Sequence, residues 1–153
     1  MSLPVRDKVV AYVLRFDGDG MRLAVFDHVG IPEAGTQVPS GGIEPGESPE
    51  AACLREVAEE SGLTGARILR RVGAFEFLDT SRGERQIRYV FVLAAPQGVA
   101  ETWDHAVTGE GADRGMMFRY RWLPPDEAER CLVGKGATYL PQARLDTHWT
   151  ASE

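Results

Sequence analysis

The sequence predicts an α+β fold: a mixed β-sheet packed between helices, an α/β/α sandwich. Three observations carry this expectation. β-rich runs recur along the chain, one strongly capped helical segment interrupts them after Ser48, and further helical segments follow Pro125. With 153 residues, 43% of them hydrophobic, the chain is long enough to fill one core, so residues 1 to 153 are expected to form one domain.

Taken in order, KVVAYVLRF at 8 to 16 reads as a strand, FDGDG as a turn and MRLAVFD at 21 to 27 as the returning strand of a hairpin. DGDG also has the opening of a calcium loop, but the next acidic ligand and the glycine after it are missing, which leaves a turn. HVGIPEAGT at 28 to 36 is loop, and QVP at 37 to 39 is a short strand before the glycines. Ser48 caps a helix with Pro49 at its first position and Glu50 at the positive end of its dipole, and Gly62 ends it. RILRRVGAFEFL at 67 to 78 and RQIRYVFVLAA at 85 to 95 are strands around TSRGE. ETWDHAV at 101 to 107 and MMFRYRWL at 116 to 123 flank the glycine-rich TGEGADRG. A second helix starts near Pro125 with DEAERCL, and a third covers part of 137 to 145. GKGAT at 134 to 138 is not a phosphate loop, because Gly rather than Ser or Thr follows its lysine.

The acidity is local. The net charge is −6, and residues 40 to 64, with six Glu and one Arg, supply −5 of it. No run of Lys and Arg forms a basic patch, so long nucleic acid is not an expected partner. Cys53 and Cys131 have no Cys or His at metal-ligand spacing and read as ordinary thiols. No signal core and no window of membrane-span length is present, so the expectation is a cytoplasmic protein without membrane contact; a homodimer is a further expectation.

The helix raises a question of charge. At about 100° per residue, Ala51, Leu54, Val57, Ala58 and Ser61 fall on one side, and Glu56, Glu59 and Glu60 near the other. Like charges three and four positions apart repel by a few tenths of a kcal/mol per pair, so helix stability alone does not select them. Hard divalent cations such as Mg²⁺ or Mn²⁺ prefer clustered oxygen ligands of this kind. Arg55 is spaced to orient these carboxylates or to reach back to Glu47, and Gly41 and Gly42 bring bare backbone close, with a carbonyl to offer.

The pattern is longer than an acidic face. Gly41, Glu47, Arg55-Glu56-Val57, Glu59-Glu60 and Gly62-Leu63, at these spacings, resemble the complete signature of the Nudix hydrolase superfamily. The resemblance implies a mixed sheet between helices, with the loop-helix-loop of the signature holding divalent cations, Mg²⁺ or Mn²⁺, for hydrolysis of a phosphoanhydride in a nucleotide or a nucleoside diphosphate-linked small molecule. By position, Glu56, Glu59, Glu60 and the Gly41 carbonyl resemble the metal-binding set, with Glu56 first choice as catalytic base. Arg55 and Glu47 resemble the positioning pair. Glu101 and Glu110 are alternative bases from a distant segment.

Substrate contacts are less defined. Alternation puts Glu101, Trp103, His105 and Val107 on one strand face, so Trp103 can stack a base and His105 meet a phosphate, or Trp103 can be core and His105 an exposed strand residue. Arg88, with Arg82 and Arg85, can reach distal phosphates or line a solvated edge. The proline of many ADP-ribose-preferring relatives is missing, since no proline lies between Pro49 and Pro96. A non-catalytic nucleotide-sensing module is the alternative function, and turnover separates the two.

Overall fold

The computed structural model describes residues 2–18, 20–134 and 136–144. Asp19 of the first turn, Lys135 of GKGAT and Leu145 at the end of the expected third helix lie outside the described residues. Among the described residues, seven strands, β1 (Val5–Asp17), β2 (Gly20–His28), β3 (Ser40–Gly42), β4 (Arg67–Asp79), β5 (Glu84–Ala94), β6 (Thr102–Ala106) and β7 (Met117–Leu123), form one mixed sheet with three α-helices, α1 (Pro49–Ser61), α2 (Pro125–Cys131) and α3 (Leu140–Arg144). The order across the sheet is β4-β5-β1-β2-β7-β6, with β3 paired to β1. The β1–β5 pair is parallel, and the other pairs are antiparallel.

Strand alternation makes the sandwich. On β1, Val9, Ala11 and Val13 face one way and join Ala52, Cys53 and Val57 of α1 and Phe91 and Leu93 of β5 in one buried layer. Val10, Tyr12 and Leu14 face the other way, against Ala128, Leu132, Leu140 and Ala143 from α2 and α3 and their surroundings. Both faces of a central strand are therefore covered, which is why KVVAYVLRF is an almost unbroken apolar run. The Tyr12 hydroxyl donates to the Gly136 carbonyl at 2.6 Å and accepts from the Tyr139 amide at 3.3 Å, tying the C-terminal layer to the sheet.

Two expectations need correction. The short strand expected at 37 to 39 lies later, at Ser40–Gly42, while Gln37 makes only an isolated bridge to Phe26. Pro39 has no amide proton to extend a ladder, although its carbonyl accepts from the Ala11 amide at 2.9 Å. The buried face of α1 is also turned toward the glutamates. Ala52, Cys53, Val57, Glu60 and Ser61 are buried, whereas Leu54 is 42% exposed. The cause is on β3: Gly41 leaves a space that Glu56 fills and Ser40 offers an amide to Glu60, so the acidic flank has partners inside and Leu54 is left outside.

Candidate active site

The helix that carries the acids is fixed at both ends. At its start the Ser48 hydroxyl accepts from the Ala51 amide at 3.1 Å with Pro49 at the first position, and at its end Gly62 takes the left-handed conformation with φ 77°. A helix leaves its last four carbonyls without internal donors, and here each has one from outside or from the cap. Ala58 accepts from the Gly62 amide at 2.9 Å. Glu59 accepts from the Thr108 amide at 3.0 Å and faces His105 Nε2 at 3.0 Å, so that nitrogen carries the ring proton. Glu60 accepts from the Tyr120 hydroxyl at 3.0 Å, and Ser61 from the Trp103 indole at 2.8 Å. The two rings stack in parallel, their centroids 4.8 Å apart.

Trp103 and His105 therefore point toward the sheet-facing end of α1 and not into the cleft of the carboxylates. They share a face of β6, as alternation required, but that face meets helix carbonyls. Tyr120 was not singled out in the sequence. Its signal was available only in general form: an acid-bearing helix that must be held rigidly needs donors at its last turn, and ring N–H and O–H groups on a neighbouring strand can supply them.

Arg55 organises the acids. Its Nε and Nη2 donate to the two Glu47 oxygens at 2.8 and 2.9 Å, Nη1 to Glu56 at 2.8 Å and Glu59 at 3.2 Å, and Nη2 also to the Gly42 carbonyl at 2.8 Å. The planar fork thus joins the loop after β3 to the helix. Hydrogen bonding from Arg55 draws the Glu47 carboxyl down to about 2, and the same bonds push the guanidinium up. Gly41 has no room for a side chain, because a Cβ there would overlap the Glu56 carboxylate, and a Cβ on Gly42 would overlap the Arg6 guanidinium.

Glu56 and Glu60 sit in a poor solvent for a charged carboxylate. Burial raises the Glu56 carboxyl against the opposing bond from Arg55, with Glu59 adding to the rise. Burial raises Glu60 well above the usual range although the Ser40 amide donates to it at 2.9 Å, and Glu56 and Asp113 push the same way. Together with Glu59 they line a cavity of about 230 Å³ that also borders Arg6, Lys8, Arg82, Glu110 and Asp113. Crowded carboxylate oxygens are suited to a hard cation, and burial that raises the proton affinity of Glu56 and Glu60 points the same way, since protons and metal ions compete for the same oxygens. Among the described residues, no three His, Cys, Asp or Glu side chains already close into a coordination shell, and Arg55 bridges Glu56 and Glu59 instead.

The other expected residues scatter. Arg88 lies beside a separate cavity of about 170 Å³ with Phe75, Phe77 and Val10, its guanidinium 4.2 Å from the Phe77 ring centroid and donating to the side-chain amide oxygen of Gln86. Arg85 pairs with Glu76 at 2.7 Å, away from the cleft. Glu101 pairs with Arg15 at 2.7 Å and is likewise outside the cleft, whereas Glu110 borders it.

The model of the NUDIX domain matches residues 6–143. Diphosphoinositol polyphosphate phosphohydrolase 3-alpha of Mus musculus is 39% identical over 111 residues, covering 71% of this chain and 60% of that protein, so the chain spans about three fifths of that relative's length. RNA pyrophosphohydrolase of Gluconobacter oxydans (strain 621H) is 41% identical over 69 residues, 45% of this chain and 39% of that one. In fold, the dihydroneopterin triphosphate pyrophosphohydrolase of E. coli superposes with a TM-score of 0.63 at 19% identity, covering 95% of this chain and 99% of that chain. No helix among the described residues is long and apolar enough to cross a membrane. With the signature complete, its glutamates gathered by Arg55 and the family model spanning residues 6–143, the chain belongs to the NUDIX domain family.

Proposed function

We propose that the protein is a metal-dependent pyrophosphohydrolase that cleaves a phosphoanhydride in a nucleotide or nucleoside diphosphate-linked small molecule. The observation that carries the proposal is the set of three carboxylates, Glu56, Glu59 and Glu60, brought to one cleft by Arg55 and by the space over Gly41. Relatives named as pyrophosphohydrolases and phosphohydrolases support it.

Glu56, Glu59, Glu60 and the Gly41 carbonyl would hold the divalent cation, Mg²⁺ or Mn²⁺. When bound, it neutralises charge on the anhydride oxygens and makes phosphorus more open to attack by water. The remaining work falls to the chain. Arg55 and Glu47 fix the loop and helix that present the acids. Glu56 accepts from Arg55 through Oε1 and has no hydrogen bond at Oε2 among the described residues, so Oε2 is assigned the proton of the attacking water. Burial raises its affinity for that proton. Glu110, at the rim of the same cavity, is the second candidate.

The test is a screen of nucleoside triphosphates, nucleotide sugars, dinucleoside polyphosphates and capped RNA with Mg²⁺ or Mn²⁺, with products identified by mass. Turnover is expected for at least one class, and a folded Glu56→Gln protein is expected to lose it. Unchanged turnover in that variant removes the catalytic assignment, and tight nucleotide binding without turnover in the wild type favours a sensing module.

A further inference from the structure

Glu59 is met at both of its ends by one short segment, the last turn of β6 and the chain that leaves it. At the main chain, its carbonyl receives the Thr108 amide and His105 Nε2, each at 3.0 Å. At the side chain, its carboxylate lies against Gly109. A Cβ on Gly109 would stand 2.5 Å from the carboxyl carbon and 2.6 and 2.7 Å from the two oxygens, so only a glycine leaves that space. Gly41 on β3 does the same for Glu56. Contacts therefore run from Gly41 to Glu56, from Glu56 and Glu59 to the shared Arg55 Nη1, and from Glu59 to Gly109.

The segment is itself anchored. Val107 is 7% exposed and belongs to the buried layer that holds α1. Its amide donates to the Met116 carbonyl and its carbonyl accepts from the Gly115 amide, both at 2.9 Å, which closes the stem of the loop. Inside the loop the Arg114 amide donates to the Gly111 carbonyl at 3.1 Å and the Met116 amide to the Asp113 carbonyl at 2.9 Å. His105 is braced too, its Nδ1 filling the space that a Cβ on Gly62 would enter at 2.8 Å. Gly109, two residues beyond Val107, is thus placed by the core. A glutamate has several rotamers open to it, and a fixed carbonyl alone does not choose among them. Arg55 on one side and the Gly109 backbone on the other narrow the choice.

We propose that His105, Thr108 and Gly109 are positioning residues for Glu59, so that the chain between β6 and β7 sets, together with the signature helix, how strongly the cleft holds a cation. The step from Glu59 to the cation rests on the hydrolase reading, whereas the placement of Glu59 does not. An added methyl at Gly109 would meet the free end of a flexible side chain, so Gly109→Ala is expected to displace the carboxylate while costing stability only through its φ of 90°. Gly115 supplies the control: it lies in the same loop with φ 86°, and no atom of the described residues lies within 4 Å of where its Cβ would be.

The test is calorimetric Mn²⁺ titration of Gly109→Ala and Gly115→Ala beside the wild type, with crystal structures of all three grown without metal. The two variants are expected to lose similar thermal stability. Gly109→Ala alone is expected to bind Mn²⁺ about 10–100-fold more weakly, the usual effect of losing a group that supports a metal ligand, and to show Glu59 turned away from Arg55. His105→Leu is expected to weaken Mn²⁺ binding in the same way, and His105→Gln, whose amide nitrogen can reach the same carbonyl, to recover most of it. That pair decides the matter if Gly109→Ala does not fold. Wild-type Mn²⁺ affinity in both Gly109→Ala and His105→Leu, an equal loss in Gly115→Ala, or an unmoved Glu59 carboxylate in Gly109→Ala overturns the proposal. A displaced Glu59 in a protein whose wild type takes up no Mn²⁺, with or without a non-hydrolysable diphosphate analogue, leaves the placement of Glu59 standing and removes the hydrolase reading instead.

Discussion

Replacing Tyr120 by Phe isolates one of the clamps on α1. The ring stays, and with it the parallel stacking on Trp103 at 4.8 Å and the tilted contact with Phe26 at 5.2 Å, so no cavity opens. What is lost is the hydroxyl donor to the Glu60 carbonyl at 3.0 Å, in a residue with no exposed surface. A buried carbonyl left without a donor costs about 1–3 kcal/mol. Taking about 2 kcal/mol, and about 2–4 °C per kcal/mol for a chain of this size, the melting temperature should fall by about 4–8 °C. Because the same residue's carboxylate is held by the Ser40 amide at 2.9 Å, loosening its backbone should also weaken cation uptake. Thermal unfolding followed by circular dichroism reads the first effect, and calorimetric Mn²⁺ titration at a temperature where both proteins are folded reads the second. A variant with wild-type melting temperature and wild-type Mn²⁺ affinity would refute the claim that this hydroxyl holds the last turn.

Gly41→Ala should reduce kcat/KM on the order of 100-fold, the size expected when a reacting group is displaced by about 1 Å, because the new methyl overlaps the Glu56 carboxylate; steady-state kinetics on a folded variant check it, and near-normal activity would mean that Glu56 can move at no cost. Glu47 is held near 2 by Arg55, below its ordinary 4.5, so its contribution to stability is complete above about 4.5 and is lost as pH falls toward about 2. Urea unfolding of wild type and Glu47→Gln across acid pH should therefore show a stability gap that closes in that window, and a gap independent of pH would contradict the assignment. Burial pushes the Cys53 thiol up to about 12, whereas Cys131 is only half-buried. A thiol reagent at mildly alkaline pH should modify Cys131 in the native protein and Cys53 only after unfolding, with quantitative native labelling of Cys53 the contrary result.

Much of this was legible in the chain because the signals were local. Ser48-Pro49 and Gly62 bound α1, since caps and φ preferences act within a few residues, β-rich composition located β1, and alternation placed Trp103 and His105 on one face of β6. The signature residues were legible as a set, and Arg55 does join Glu47 to the helix acids. Apart from the strand shifted past Pro39, what the sequence left out was a matter of partner. The face of α1 was assigned from its own apolar residues, but burial of Glu60 depends on an amide twenty positions earlier in the chain, at Ser40. Trp103 and His105 were seen to share a face, but the helix carbonyls they meet lie 42 and 46 positions away. Arg6 and Lys8 attracted no notice as two cations in a strand, and only the fold brings them to the same cavity as Arg82 and the helix acids.

The location of the site follows from how β1 divides its neighbours. On one edge β5 runs parallel to it from Val5 to Leu14 without interruption. On the other edge, pairing with β2 is confined to Leu14–Asp17 and pairing with β3 to Lys8–Val10, so β1 and β2 part toward the start of β1. The chain from 36 to 42 fills the wedge, with Gln37 bridging to Phe26, Pro39 accepting from Ala11 and the β3 glycines lying along β1. Without that split, the edge of β1 would be closed by β2 side chains and no bare backbone could reach α1. With it, Gly41 receives the Glu56 carboxylate, Gly42 the Arg6 guanidinium on its side chain-free surface and Arg55 at its carbonyl, all within one turn of chain. Two adjacent glycines thus keep an acid and a base close to the same backbone, while Arg55 ties Glu56 and Glu59 to Glu47 in the loop.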